Sequence, residues 1–133
     1  MAKFVLHKHA ALVRGTHLDL RFEIPNSKNW ASFAMNEFPP LEPGKRLYIV
    51  RTNDHSPTEA LFLGNIPEGE YGAGKISLED SGKCEIIKYS NAHIVIDFKG
   101  KKLKGIYHLV NTAQFGRRRS YNRKVFAFFK GKL

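Results

Sequence analysis

His17, Asp19 and Arg21 fall at alternate positions of the run His17-Leu18-Asp19-Leu20-Arg21-Phe22-Glu23-Ile24. On an extended chain, residues two apart share a face. Imidazole, carboxylate and guanidinium therefore project together, while Leu18, Leu20 and Phe22 enter a core. Imidazole with carboxylate suits a divalent ion of the manganese, iron or zinc type. An arginine one step further along is placed to hold a phosphate oxygen with its planar fork. His9 lies upstream, before a turn signal at Arg14-Gly15-Thr16. A chain reversal there brings His9 beside His17, giving two histidines and one aspartate with positions open to water and phosphate. His7 falls on the same side as His9. A strand with a solvated polar face alternates in the same way, so the spacing alone leaves that reading open.

Asp54-His55 is the second candidate, in a loop-like stretch from Thr52 to Thr58. Such a histidine can be a metal ligand, a general acid or a phosphate contact, or a surface residue with no task. His93 and His108 sit within apolar strands and read as boundary residues.

The elements that must position these groups are strands. Alternation marks Lys3 to Lys8, His17 to Ile24, Trp30 to Met35, Arg46 to Arg51, a short Ala60 to Leu63, Lys75 to Leu78, Cys84 to Tyr89, His93 to Phe98, Ile106 to Val110 and Val125 to Phe129. Turn chemistry separates them at Pro39-Pro40, Glu42-Pro43-Gly44, Pro67-Glu68-Gly69, Ser81-Gly82, Lys99-Gly100 and Gly116. Strand signals spaced about 8 to 12 residues apart predict an all-β sandwich or barrel. No segment carries sustained helical periodicity. Phe115 to Lys124 reads as a loop. Gly69-Glu-Tyr-Gly-Ala-Gly74-Lys75 matches most of a P-loop, but Ile76 stands where Ser or Thr must follow, and a strand follows instead of a helix. Its glycines read as turn residues.

The length of 133 residues suits one domain, expected to span 1–133 with a basic loop or tail at 99–133. Lysine and arginine number 22 against 12 acids, a formal net charge of +10. After Asp97 there is no acid, whereas the segment before Lys99 is close to neutral. Arg117, Arg118, Arg119, Arg123 and Lys124, interleaved with Phe115 and Tyr121, form the expected nucleic-acid-binding set. A basic amphipathic helix for a membrane surface does not fit segments rich in β-formers. No apolar run approaches the roughly 20 residues that span a bilayer, and the N-terminus lacks signal-peptide patterning. A single cysteine, Cys84, excludes an intrachain disulfide. The cytoplasm is the expected compartment and a monomer the expected state.

A set of stretches carries a resemblance. In order they are His9-Ala10-Ala11, His17-Leu-Asp19-Leu-Arg21-Phe-Glu23, Trp30-Ala31, Pro43-Gly44-Lys45-Arg46-Leu47, Asp54-His55, Gly64-Asn-Ile-Pro-Glu-Gly-Glu-Tyr-Gly-Ala-Gly74 and Leu103-Lys-Gly105. Together they resemble the 3′-phosphoesterase domain of bacterial and archaeal DNA ligase D, stand-alone relatives included, from about Phe4 to Val110. The resemblance implies a compact β-barrel with a catalytic groove on one side. It implies manganese-dependent trimming of 3′ ends in strand-break repair, removing a 3′-terminal ribonucleoside and a 3′-phosphate to leave a 3′-hydroxyl. Zinc or another transition metal is the alternative cofactor. By position, His9, His17 and Asp19 are the implied metal ligands. Arg21 and His55 are the implied contacts to the scissile phosphate, and Arg46 matches a further basic residue of the active site. DNA or RNA–DNA 3′ ends are the implied partners, and any ligase or polymerase partner is expected to be a separate protein.

The sequence also departs from the family. The segment from Ala10 to Thr16 is longer and must loop to keep His9 in reach, and the Arg46 to His55 interval is one residue longer. Asn36 and Glu37 lie near the position of a family lysine, and Glu59 or Ala60 replaces a tyrosine after Asp-His. A non-catalytic nucleic-acid-binding barrel and a scaffold that recruits a ligase or polymerase are the competing readings.

Overall fold

The alternating segments pair edge to edge and close on themselves. The computed structural model describes residues 1–115 and 124–132. Its strands are β1 (Ala2–Ala11), β2 (Gly15–Glu23), β3 (Trp30–Met35), β4 (Leu47–His55), β5 (Gly64–Ile66), β6 (Gly74–Tyr89), β7 (His93–Gly100), β8 (Lys104–Asn111) and β9 (Val125–Lys130). All pairings are antiparallel, in the order β1-β2-β3-β4-β9-β8-β7-β6, and β6 pairs back onto β1. This is an all-β barrel, one of the two architectures the alternation predicts and the one the resemblance implies. The short β5 attaches to β6 near its start.

Inward positions fill the barrel. Phe4 and Leu6 of β1, Leu20 and Phe22 of β2, Phe33, Ile49, Ile96, Phe98, Tyr107, Leu109, Phe126 and Phe128 form one buried cluster. Each large apolar side chain buried this way contributes about 1.5–3 kcal/mol. Phe4 meets Phe98 edge-on at 5.0 Å and Phe33 meets Phe126 at 5.2 Å, the arrangement that aromatic quadrupoles favour. Cys84 is part of this core, and burial pushes its thiol up to about 12, which leaves it unreactive at neutral pH. Near one end of the barrel, Arg51 follows the inward phase of Ile49. It donates to the Tyr89 hydroxyl at 2.8 Å and lies 5.4 Å from the centre of the Phe33 ring.

Three expectations are corrected. Thr52 to Thr58 is not one loop, because β4 continues through His55 and a short helix begins at Pro57. Lys75 to Leu78 and Cys84 to Tyr89 are not separate strands, because β6 runs unbroken through Ser81-Gly82. Around Gly82, β6 pairs with Phe4 of β1 on one edge and Gly100 of β7 on the other. A Cβ on Gly82 would sit 2.7 Å from the Lys99 carbonyl oxygen, and one on Gly100 would strike Phe4 and Asp80. These glycines permit close strand approach; they do not mark a turn. Nor is Ala60 to Leu63 a strand. Pro57–Ala60 forms the short helix α1, with Ser56 and Glu59 in a capping box and Pro57 at its first position. The Ser-Pro-Thr-Glu signal was present and outweighs the β-propensity of the residues after it.

A buried charge ties β6 to the turn after β7. Asp80 accepts backbone N–H bonds from Lys101 (3.0 Å), Lys102 (3.0 Å) and Leu103 (2.7 Å) in the turn between β7 and β8. Burial opposes its ionisation, but the bonds from Leu103, Lys102 and Lys101 outweigh it and hold the carboxyl below its ordinary value.

Asp80→Asn is expected to lower stability in urea by about 2 kcal/mol at neutral pH, since charged acceptors of several N–H bonds are lost. A folded pKa lower than the unfolded one makes this contribution present above the ordinary value of 3.8. It is lost as pH falls through the lower folded value, so the gap to the wild type narrows in acid. An equal gap in acid and at neutral pH would remove the charge from this role.

Candidate metal centre

The β1–β2 hairpin puts its inward face in the core and its outward face under a groove. Register pairs His9 with His17, His7 with Asp19 and Val5 with Arg21. The chain between His9 and His17 reverses at the hairpin tip, Leu12 to Arg14, and Gly15 just after it adopts φ +77°. The two imidazole rings lie 4.9 Å apart. One ligand atom from each of His9, His17 and Asp19 lies within 4.8 Å of the others. His9 Nδ1 is 3.8 Å and His17 Nε2 is 3.3 Å from Asp19 Oδ2.

The far nitrogens show that this cluster is built. His9 Nε2 lies 2.7 Å from the Gly72 carbonyl oxygen, and His17 Nδ1 lies 3.3 Å from that of Gly15. A carbonyl only accepts, so each of these nitrogens carries the proton. In the neutral rings, His9 Nδ1 and His17 Nε2 then turn lone pairs toward a carboxylate. Such convergence needs a cation or a proton between the groups, and backbone carbonyls behind metal-bound histidines are a recurring support. With a proton on His17 Nε2, that nitrogen donates to Asp19, and this bond raises the His17 pKa against its burial. Burial opposes ionisation of Asp19, but His17 and Arg21 outweigh it and hold the carboxyl below its ordinary value. Two imidazoles and one carboxylate fit a divalent ion of the manganese, iron, cobalt or zinc type.

Arg21 is buried beside this cluster. Nε donates to Ser32 Oγ at 3.3 Å, and Nη1 donates to the carbonyls of Glu59 (3.1 Å) and Ala60 (3.4 Å) in α1. Nη2 makes no hydrogen bond with a described residue. His55 reaches the same groove through a bulge. Trp30 pairs with His55 and Ser32 with Thr52, so Asn53 and Asp54 stand opposite Ala31 alone. This bulge re-aims the end of β4. Burial, then Arg21, lowers the His55 pKa. His7, buried on the same face, is pushed down to about 4 by burial and Arg21 and stays neutral.

The groove measures about 520 Å3 and is lined by His9, His17, Asp19, Arg21 and His55, with Arg51 and Lys124 further along. Arg46 is not brought there. It stands before β4 with its guanidinium 5.4 Å from the centre of the Phe129 ring, beside a separate hollow of about 660 Å3 lined by Glu37, Pro40 and Glu42. That hollow contains none of the His9–His17–Asp19 group. Of the expected nucleic-acid-binding set, Lys124 is exposed at the groove, while Arg117, Arg118, Arg119 and Arg123 lie outside the described residues, as does Tyr121. His93 and His108 sit on the opposite arc, on β7 and β8, stacked at 5.0 Å and hydrogen-bonded at 2.8 Å.

Sequence reasoning missed Arg51 and the Gly69–Gly74 loop as parts of the groove. A charged residue in phase with Ile49 was the available signal for Arg51. The loop, read as turn chemistry, also supplies the carbonyl that orients His9, and a Cβ on Gly72 would lie 3.6 Å from His9 Cε1.

Calorimetric titration of Mn2+ is expected to show saturable binding in the wild type. His9→Ala, His17→Ala and Asp19→Ala should each weaken it at least about tenfold, whereas His93→Ala leaves it unchanged. Undiminished binding in the three site variants would exclude this cluster.

No helix among the described residues is long and apolar enough to cross a membrane. Residues 7–111 match the family model described as the DNA ligase D 3′-phosphoesterase domain. The chain is 35% identical over 121 residues to the multifunctional non-homologous end joining protein LigD of Mycolicibacterium smegmatis, covering 83% of this chain and 15% of that protein. The LigD protein of the same description from Pseudomonas aeruginosa is 30% identical over 118 residues, covering 84% of this chain and 14% of that one. The multifunctional non-homologous end joining DNA repair protein LigD of Mycobacterium tuberculosis is 32% identical over 113 residues, covering 82% and 14%. The chain thus spans only a small part of the relatives it matches. The match includes His9, His17, Asp19, Arg21 and His55 within residues 7–111, and the chain belongs to the DNA ligase D 3′-phosphoesterase domain family.

Proposed function

We propose that the chain is a metal-dependent phosphoesterase that repairs 3′ ends, removing a 3′-terminal ribonucleoside and a 3′-phosphate to leave a 3′-hydroxyl. The observation that carries this reading is the convergence of His9, His17 and Asp19, with both outer histidine nitrogens bonded to carbonyls, in one groove with Arg21 and His55. A divalent cation held there supplies charge neutralisation and polarisation of a phosphoryl oxygen. Manganese is the proposed ion. Arg21 Nη2 is positioned as a fixed donor to a phosphate oxygen, since the rest of its fork is tied to Ser32 and α1. His55, held below its ordinary pKa by burial and by Arg21, enters neutral and donates one N–H to the same group. Arg46, beside the other hollow, is left out of this set.

The proposed substrate is a DNA or RNA–DNA duplex with a recessed 3′ end. The net charge of +10 gives sequence-independent attraction to a phosphate backbone. The end-joining proteins that the chain resembles support a place in strand-break repair, with a ligase or polymerase acting on the product.

A primer–template ending in one ribonucleotide, and another ending in a 3′-phosphate, are the test substrates. Conversion to a 3′-hydroxyl is expected with manganese and not with chelator, lost in His17→Ala and reduced about 100-fold in kcat in His55→Ala. No conversion with manganese, magnesium or zinc, alongside tight salt-sensitive binding, would favour a binding module that does no chemistry.

A further inference from the structure

Tyr71 and Val13 are 94% and 95% exposed, although both line the groove that contains His9, His17 and Asp19. Tyr71 lies on the loop between β5 and β6, and Val13 on the tip between β1 and β2. Neither stretch of backbone is loose. Leu12 N–H donates to the Ala73 carbonyl at 2.9 Å, Ala73 N–H to that of Glu70 at 3.1 Å, and Glu70 N–H to that of Pro67 at 3.2 Å. His9 Nε2 donates to the Gly72 carbonyl, one residue beyond Tyr71. Gly69 and Gly72 take positive φ, so the loop turns on either side of Tyr71. A fixed backbone thus holds an aromatic ring in water beside the candidate metal centre, where it adds nothing to the core.

We propose that Tyr71, with Val13 on the adjoining tip, is a stacking platform for an unpaired nucleobase at a 3′ end. The base rests on the ring while its phosphate reaches Arg21 and His55 in the same groove. This rests on the 3′-end reading above. The groove also presents Arg14, Arg51 and Lys124, and its only carboxylates among the described residues are Asp19 and Glu70. A ligand with both an apolar planar face and anionic charge fits these two features. A nucleotide has both, and every base offers a π-face, so the platform is indifferent to sequence.

The probe is a primer–template whose last primer nucleotide is an unpaired 2-aminopurine bearing a 3′-phosphate, in chelator so that no turnover occurs. Anisotropy reads binding and 2-aminopurine emission reads stacking. The wild type and Tyr71→Phe are expected to quench the emission, and Tyr71→Ala is not. Tyr71→Ala should also bind about tenfold more weakly, with the deficit gone when the terminal nucleotide is abasic. Equal quenching by Tyr71→Ala and wild type, an equal deficit on the abasic end, or no binding by the wild type would overturn the platform. A closed dumbbell duplex, which lacks any end, tests the underlying reading separately. If it binds as well as the 3′-phosphate end, that reading fails, and Tyr71-dependent quenching still decides the platform.

Discussion

The barrel depends on β1 being hydrogen-bonded along both edges, to β2 and to β6. The β6 pairing closes the cylinder and the β2 pairing sets His9 opposite His17. A strand tied on both sides cannot slip. A one-residue slip would exchange Phe4 and Leu6 of the core with Val5 and His7 of the outer face. The hydrophobic interior therefore fixes the register, and the register fixes the histidines. The reversal between His9 and His17 falls at a turn, and the approach to His55 at a bulge, so neither disturbs this register.

The same division governs charge. Inside the closed wall, among the described residues, the ionised groups are held by multiple donors or by aromatic faces, as Asp80 and Arg51 are. On the outer face, the groove gathers His9, His17, Asp19, Arg21 and His55. Arg21 spans both roles: part of its fork anchors α1 and part remains toward the groove. One side chain thus holds the helix in place while its Nη2 makes no hydrogen bond with a described residue.

Much of this was legible because strand periodicity reports faces directly. His17, Asp19 and Arg21 share a face in sequence and in space, and Leu20 and Phe22 lie in the core as their phase requires. Other features were not legible, because a residue type does not state its partner. Gly82 reads as a turn from its neighbours alone, and only the meeting of β1, β6 and β7 shows why a side chain is excluded there. Arg46 and Arg51 look alike in sequence. Their positions relative to the barrel wall separate them: one is above Phe129 and the other within reach of Tyr89. The role of Gly72 depends on a carbonyl, which no side-chain motif records.

That carbonyl has a further consequence. His9 is bonded through one ring nitrogen to the loop and turns the other toward Asp19 and His17. The loop and the ligand cluster therefore share a mechanical degree of freedom. Whatever free energy one lends the other is returned in equal measure. The hydrogen bond thus joins the groove's rim to its floor, and any coupling carried through it is reciprocal.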